Sequence, residues 1–283
     1  MLPPQSLPTA VSPTLLLAPA VDVFARRAAR FRSLAAQHSQ GLWLNWLAAL
    51  SEAQQSLAAT PAILAVSTQT DLLAAAPAAV EQLRQLFNAN AYGMDGFAVA
   101  LDESLVLDQA RSVVQMAAGS QLLAAAERSH FLIVAAMQVL WAQAARLRVQ
   151  QPQPAQSEAH EACPCCGSAA LGSIIMAGEG KAGLRYLECS LCATRWNAVR
   201  ARCTLCTQGE VVQYLALEGA HAAVQAETCD CCQGYIKTFM QTKDIAVEPA
   251  ADDLASLALD VLVGEQGFAR GAPNLFLCEA EAA

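Results

Sequence analysis

The sequence predicts an α+β protein: a helical N-terminal domain, two tandem four-cysteine metal modules, then a C-terminal helix. Three observations point there. All eleven cysteines of the 283-residue chain lie at or beyond position 163. Before that point apolar residues, mostly Ala, Leu and Val, recur at helical spacing. Four Cys-x-x-Cys pairs form two sets related by one shift: adding 40 to 163, 166, 189 and 192 gives 203, 206, 229 and 232.

Taken in order, residues 1–19 are Pro-rich and are expected to be poorly ordered. A helical domain is expected over 20–150. In "VFARRAARFRSLAAQ" the spacing sets Val23, Ala28 or Phe31, and Leu34 to one side, and Arg26, Arg27, Arg30 and Arg32 largely elsewhere. "GLWLNWLAALSEAQQSLAA" predicts a buried stripe of Leu42, Trp46 and Leu50. Further helices are expected near 69–90, 103–117 and 121–148, with breaks at Pro61, Pro77 and "NANAYGMDG" (88–96). The last helix is the most apolar and is placed at the centre of the bundle. Its run from Phe131 to Ala142 is about half the ~20 residues that span a bilayer and contains Gln138, so it reads as a buried helix. "QQPQPAQSEAH" lacks periodicity, and a linker is assigned to 151–161.

The modules are assigned to 162–202 and 203–245. Two cysteines three positions apart aim both sulfurs at one ion from a tight turn, and a second such turn completes a tetrahedron with ~2.3 Å bonds. "LGSIIMAGEGKAGLRYLEC" and "VVQYLALEGAHAAVQAETC" read as the hairpins between knuckles, turning at "GEGKAG" and "EGAH". The proposed ligands are Cys163, Cys166, Cys189 and Cys192 for site 1, and Cys203, Cys206, Cys229 and Cys232 for site 2. Disulfides fit poorly with a reducing compartment, and a redox pair needs a strand before it and a helix after it. Iron–sulfur cluster motifs carry other spacings. Pairing knuckles one with three and two with four would also make tetrahedra, but the 40-residue repeat favours sequential sites. Thiolate tetrahedra accept zinc or iron; the first gives zinc-ribbon-like modules, the second rubredoxin-like ones able to cycle one electron. Cys165 and Cys231 fill a knuckle position held elsewhere by Leu191 and Leu205, and are read as small hydrophobes beside the sites. Cys278 stands alone, and His160 is read as a linker residue. The last segment, 246–283, holds the helix "ADDLASLALDVLVGEQG", with Asp252 and Asp253 near its N-terminus, and an irregular tail.

A composition 55% hydrophobic and only 15% charged favours a packed chain over a disordered one. The net charge of -8 and pI near 5.0 argue against a general nucleic-acid binder. Residues 163–202 are the one net-basic stretch, which suits a protein partner. No export signal or membrane insertion is expected, because the first basic residue is Arg26 and prolines interrupt the first apolar run. A cytoplasmic protein is expected. No Ser/His/Asp set, phosphate-cradling loop or carboxylate pair stands out, so no catalytic residue is assigned.

"GLRYLECSLCATRWNAVRARCTLC", then "AVQAETCDCCQGYIKT" and "VEPAADDLASLALDVLVGEQGFARGAPNLF", closely resemble the FdhE family of formate dehydrogenase accessory proteins. A weaker likeness extends to "FARRAARFRSLA". The four knuckles in succession, Trp196 after the second and the "ADDLASL" helix start make the signature specific. The resemblance implies a helical domain before two rubredoxin-like modules and iron on the eight knuckle cysteines. It also implies a non-enzymatic cytoplasmic role, through contact with the catalytic subunit, in making active respiratory formate dehydrogenase. An electron-transfer component and a zinc-ribbon interaction module are the alternatives. Arg185, Tyr186, Arg195, Trp196 and Arg200 surround the second knuckle and are the candidate partner-binding residues, Arg and aromatics being frequent interface anchors. The competing reading makes Tyr186 and Trp196 core over the metal site.

Overall fold

The computed structural model describes residues 16–60, 68–87, 101–119, 129–150, 162–178, 180–200, 202–206, 208, 213–217 and 223–277. The expected linker, the breaks at Pro61 and 88–96, the "EGAH" turn, His160 and Cys278 lie outside them.

Among the described residues five helices make the N-terminal domain: α1 (Val23–Ala35), α2 (Gly41–Ala58), α3 (Gln69–Leu86), α4 (Glu103–Ala117) and α5 (Ser129–Val149). Residues 132–145 of α5 are all buried, which is why it shows almost no polar face. It is long and apolar enough to cross a membrane, but the other helices bury most of it. Of its two interior amides Gln138 is satisfied, its Oε1 accepting from Arg27 Nη1 and Gln54 Nε2, each at 3.2 Å, whereas Gln143 Nε2 donates to Ala58 O at 2.9 Å but its Oε1 is buried without a partner among the described residues. Trp46 and Leu50 are core as expected. Trp46 stacks on Trp43 at 5.1 Å and meets Phe87 and Phe131 edge-on. Leu42 is 87% exposed instead, because it sits in the first turn of α2, where four-residue spacing alone does not decide burial. Pro77 does not break α3; it lies inside the helix, whose Leu72, Ala76, Val80 and Leu83 face the core.

Among the described residues one mixed sheet of eight strands carries both modules. Its strands are β1 (Leu16–Leu17), β2 (Ala170–Ile175), β3 (Arg185–Cys189), β4 (Arg195–Asn197), β5 (Gln213–Leu215), β6 (Val224–Cys229), β7 (Gly234–Met240) and β8 (Ala269–Arg270). The order is β1-β4-β3-β2-β7-β6-β5, with β8 also on β7. The duplication is visible in this order: β4-β3-β2 repeats as β7-β6-β5. The second hairpin keeps its register under the 40-residue shift, Tyr186 pairing Asn197 and Ala226 pairing Lys237. The modules join in parallel, Ser173 with Thr238, Ile174 with Phe239 and Ile175 with Met240. Gly172 is required beside this seam, because a Cβ there would lie 2.7 Å from Lys237 O and 2.8 Å from the Phe239 ring. Residues 1–19 are not wholly irregular, since Leu16–Leu17 pair with β4. Nor is the tail, where β8 pairs with β7.

The expected single C-terminal helix is two, α6 (Pro249–Leu254) and α7 (Leu257–Glu265). The break has a local cause. Lys237 Nζ donates to Asp253 O and Ser256 O, and Ser256 Oγ donates to Asp252 O and Asp253 O, so side chains take carbonyls that helical N–H groups would use.

The arginines of α1 are the largest departure from the expected pattern. Arg27 and Arg30 are buried, not on the solvent side. Arg27 Nε donates to Glu248 at 3.0 Å, and Arg30 grips Asp252 with two bonds of 2.9 and 2.6 Å while its third nitrogen reaches Asp244 at 2.8 Å. Glu248 also caps α6, accepting from Ala251 N. A second network lies beneath: Lys237 Nζ lies 3.0 Å from Asp253 and 2.6 Å from Asp260, and Arg270 lies 2.6 and 2.8 Å from the same two acids. The "FARRAARF" and "EPAADDLAS" segments are thus the two sides of one ionic seam between the helical domain and the C-terminal segment. A buried ion pair of this kind stabilises little against an apolar substitute but fixes which surfaces meet.

Candidate metal centres

Each site is built from two turns that the strands hold face to face. At site 1 the turn Cys163–Cys166 closes with Gly167 N donating to Cys163 O at 2.8 Å, and Gly167 is left-handed at φ +76°. The turn Cys189–Cys192 joins β3 to β4, with Cys189 N donating to Thr194 O at 2.9 Å. The residue after each second knuckle is left-handed without being glycine: Ala193 at φ 54° and, 40 positions on, Gln233 at φ 52°. Gln233 is exposed, so Gln233→Gly is expected to raise thermal stability by about 1 kcal/mol, read as a higher Tm with unchanged metal content.

The eight ligand cysteines predicted from the spacing come together as two sets of four, each with its sulfurs within 4.8 Å of one another. The pairing is sequential. At site 1 the sulfur separations are 3.6 Å for Cys163–Cys192, 3.4 Å for Cys166–Cys189 and 3.5 Å for Cys166–Cys192. At site 2 they are 3.8 Å for Cys203–Cys232 and 4.0 Å for Cys206–Cys229. A tetrahedron with ~2.3 Å metal–sulfur bonds has edges of about 3.8 Å, so the donor set fits a tetrahedral cation. Backbone N–H groups point at the sulfurs: Leu191 N and Cys192 N donate to Cys189 Sγ, and Leu205 N to Cys203 Sγ. Burial, reinforced by the other thiols, pushes the Cys189 thiol well above its ordinary value, while hydrogen bonds from Cys163, Cys189 and Cys192 hold Cys166 below it. Four thiolates crowded this way repel one another, and a bound cation reverses that balance.

The two sites differ in setting. Site 1 lies in the core beside Leu187, Leu191 and Trp196. The helical domain reaches it at Ala117 O, which accepts from Ala169 N at 2.6 Å, at Gln138 Nε2, which donates to Ser190 O, and at Arg148, which donates to Cys165 O. Site 2 opens outward, with Cys206 half-buried and Cys232 exposed. Cys165 is buried, as expected of a small hydrophobe, whereas Cys231 is exposed and does not pack as one.

Of the five residues expected to form a partner surface, Arg185, Tyr186 and Trp196 are buried, so as placed they offer no side chain to a partner. Both faces of β3 are covered, and Arg185 pairs with Glu227, tying the first module to the second. Tyr186 and Trp196 are core, the competing reading. Arg195 is partly exposed and bound to Glu188 at 2.6 Å, and Arg200 is exposed with one bond to Gly183 O. The sequence reasoning missed Glu188, Glu227 and Lys237, and read Asp253 only as a charge near a helix N-terminus. Their one signal was charge inside otherwise apolar strands and helix.

A helical domain carrying two ribbon modules, each with a four-thiol site able to hold one metal ion, defines the class of protein. Family models of FdhE match it throughout: the N-terminal domain over residues 12–157, the central domain over 162–200 and the C-terminal domain over 201–277. The chain belongs to the FdhE family. It is 35% identical to the Protein FdhE homolog of Cronobacter sakazakii over 96% of this chain and 93% of that one. Protein FdhE of Salmonella newport is 34% identical over 95% of this chain and 92% of that one. The crystal structure of the FdhE protein from Pseudomonas aeruginosa aligns with a TM-score of 0.72 at 31% identity, covering 93% of this chain and 99% of that one.

Proposed function

We propose that the chain is a non-enzymatic accessory protein for formation of active respiratory formate dehydrogenase, acting in the cytoplasm through contact with the catalytic subunit. The observation that carries this reading is the pair of four-thiol clusters on a chain that matches the FdhE family models between residues 12 and 277. Iron is the metal we assign to both sites, with zinc the competing occupant; iron held by four thiolates carries a formal charge of -1 when ferric and -2 when ferrous. The part played by the chain's own residues is to hold those sulfurs in place and to brace them against the helical domain.

The test is retention of the catalytic subunit on the tagged, metal-analysed protein, together with formate oxidation in a deletion strain. Retention with lost activity supports the reading; normal formate oxidation in the deletion strain sinks it. Arg200→Ala is expected to weaken retention by up to about fivefold, as an exposed charge would, with both ions still bound. An electron-transfer role is the second reading, favoured by the outward opening of site 2. Potentiometric titration during turnover separates the two, since a carrier must cycle and a scaffold need not.

A further inference from the structure

A cavity of about 640 Å³ lies where the helical domain and both modules meet. One wall is α1, presenting Val23, Ala29 and Ser33; opposite stand Val247 and Ile245, the latter 71% exposed on the lip. Leu16 and Leu17 of β1 close one end, and the outer edge of β1 pairs with no described strand. Ala29 and Ser33 are small and exposed, so the helix side is an open trough. Clefts formed where domains meet are the commonest places for a ligand.

The lining is mixed, and of its charged groups Arg26, Arg30, Arg195 and Glu248 are already paired; two polar features are left over. Glu188 is buried in the wall; its Oε2 is taken by Arg195, but its Oε1 is buried without a hydrogen-bond partner. A buried acceptor left unpaired costs about 1–3 kcal/mol, which a donor arriving with a ligand removes. On the other side, Lys181 lines the cavity from the β2–β3 turn and makes no ion pair among the described residues. The cavity therefore asks for a donor inside, an acceptor at the rim and apolar groups between. A lipid chain offers neither polar group, and the arginines that would have to meet a nucleotide's phosphates, Arg26, Arg30 and Arg195, are already paired with carboxylates. An extended peptide offers all three.

We infer that this groove takes a short, extended, apolar segment of the partner polypeptide, with a backbone or side-chain N–H on Glu188 Oε1 and a carbonyl or carboxylate on Lys181. The inference rests on the partner reading above and deepens it by locating the contact. It places docking beside site 1, because Glu188 and Ala193 flank the knuckle Cys189–Cys192.

The experiment uses the full chain with the formate dehydrogenase catalytic subunit as probe. Ala29→Trp fills the trough from an exposed helix position, Lys181→Glu reverses the rim charge, and Arg111→Ala on α4 is the distant control. Ala29→Trp is expected to weaken subunit binding at least tenfold and Lys181→Glu severalfold. Arg111→Ala is expected to do nothing, and all three should keep two ions per chain and the parent Tm. A photo-crosslinker at Ser33 should label one apolar stretch of the subunit. Binding of the subunit unchanged by Ala29→Trp, or crosslinks from Ser33 only to a second copy of this chain, overturns the groove and leaves the accessory role standing. Failure of the unmodified chain to retain the subunit overturns both.

Discussion

Asp253→Ala is expected to cost the fold about 3–5 kcal/mol, seen as a lower urea midpoint with an unchanged slope. Asp253 is fully buried and holds three partners, Lys237, Arg270 and Asn274. Removing it leaves the Lys237 ammonium, itself 1% exposed, with Asp260 as its one carboxylate among the described residues. The cost comes from two cations, the buried Lys237 and the partly buried Arg270, left to share Asp260, so Lys237→Met added to Asp253→Ala should recover part of it. A single variant within 1 kcal/mol of the parent would refute this account of the seam. The effect also depends on pH. Burial pushes the Asp253 carboxyl upward, but the charges of Lys237 and Arg270 outweigh it and hold the group at about 2, below its ordinary 3.8. A depressed carboxylate stabilises the fold above its unfolded value and loses that contribution as pH falls through its folded value. The gap between parent and Asp253→Ala should therefore narrow by about 2 kcal/mol between pH 4 and pH 2.

The second large effect is at the metal. Cys189→Ser is expected to lower metal content from two ions per chain to one and to cost on the order of 5 kcal/mol or more. A structural four-ligand zinc site contributes roughly 10–16 kcal/mol of folding free energy in isolated peptides. The loss should spread, because Cys189 belongs to the same buried cluster as Trp196 and the α5 residues Leu132 to Ala145. Cys229→Ser should also leave one ion but cost less, since site 2 faces solvent through Cys206 and Cys232. Elemental analysis and urea unfolding of the two variants side by side decide it. Two ions still bound to Cys189→Ser would refute the site 1 assignment.

The four-cysteine sites were legible because their signal is local and doubled: each knuckle is four residues, and the 40-residue shift favours the sequential pairing that the sulfur separations show. The helix at Ser129–Val149 was legible because an apolar segment of that length has few other places to go. The ionic seam was hidden for the opposite reason. Arg27 and Arg30 bond to acids more than two hundred positions away; Arg27 lies one turn after Val23 and one turn before Phe31, on the buried face of α1 with Arg30 at its border, so charge pointed to solvent where spacing pointed to the core. The available hint was Glu248, Asp252 and Asp253 packed among alanines, in a stretch too apolar to be a surface. Arg185, Tyr186 and Trp196 misled because an aromatic–arginine cluster describes the interior of a covered sheet as well as a docking patch. Glu227, the partner that buries Arg185, belongs to the other copy of the repeat.

The parallel junction between the repeats sets an order on biogenesis. As the chain leaves the ribosome, the first cysteine hairpin is complete well before Thr238 to Met240, which finish its bare edge, have been made. Glu248 and Asp252, the counter-ions of α1, come later still. Until those residues have been made, β2 lacks its β7 neighbour and Arg27 and Arg30 lack their counter-ions Glu248 and Asp252. Translation of the last segment is what locks the molecule shut.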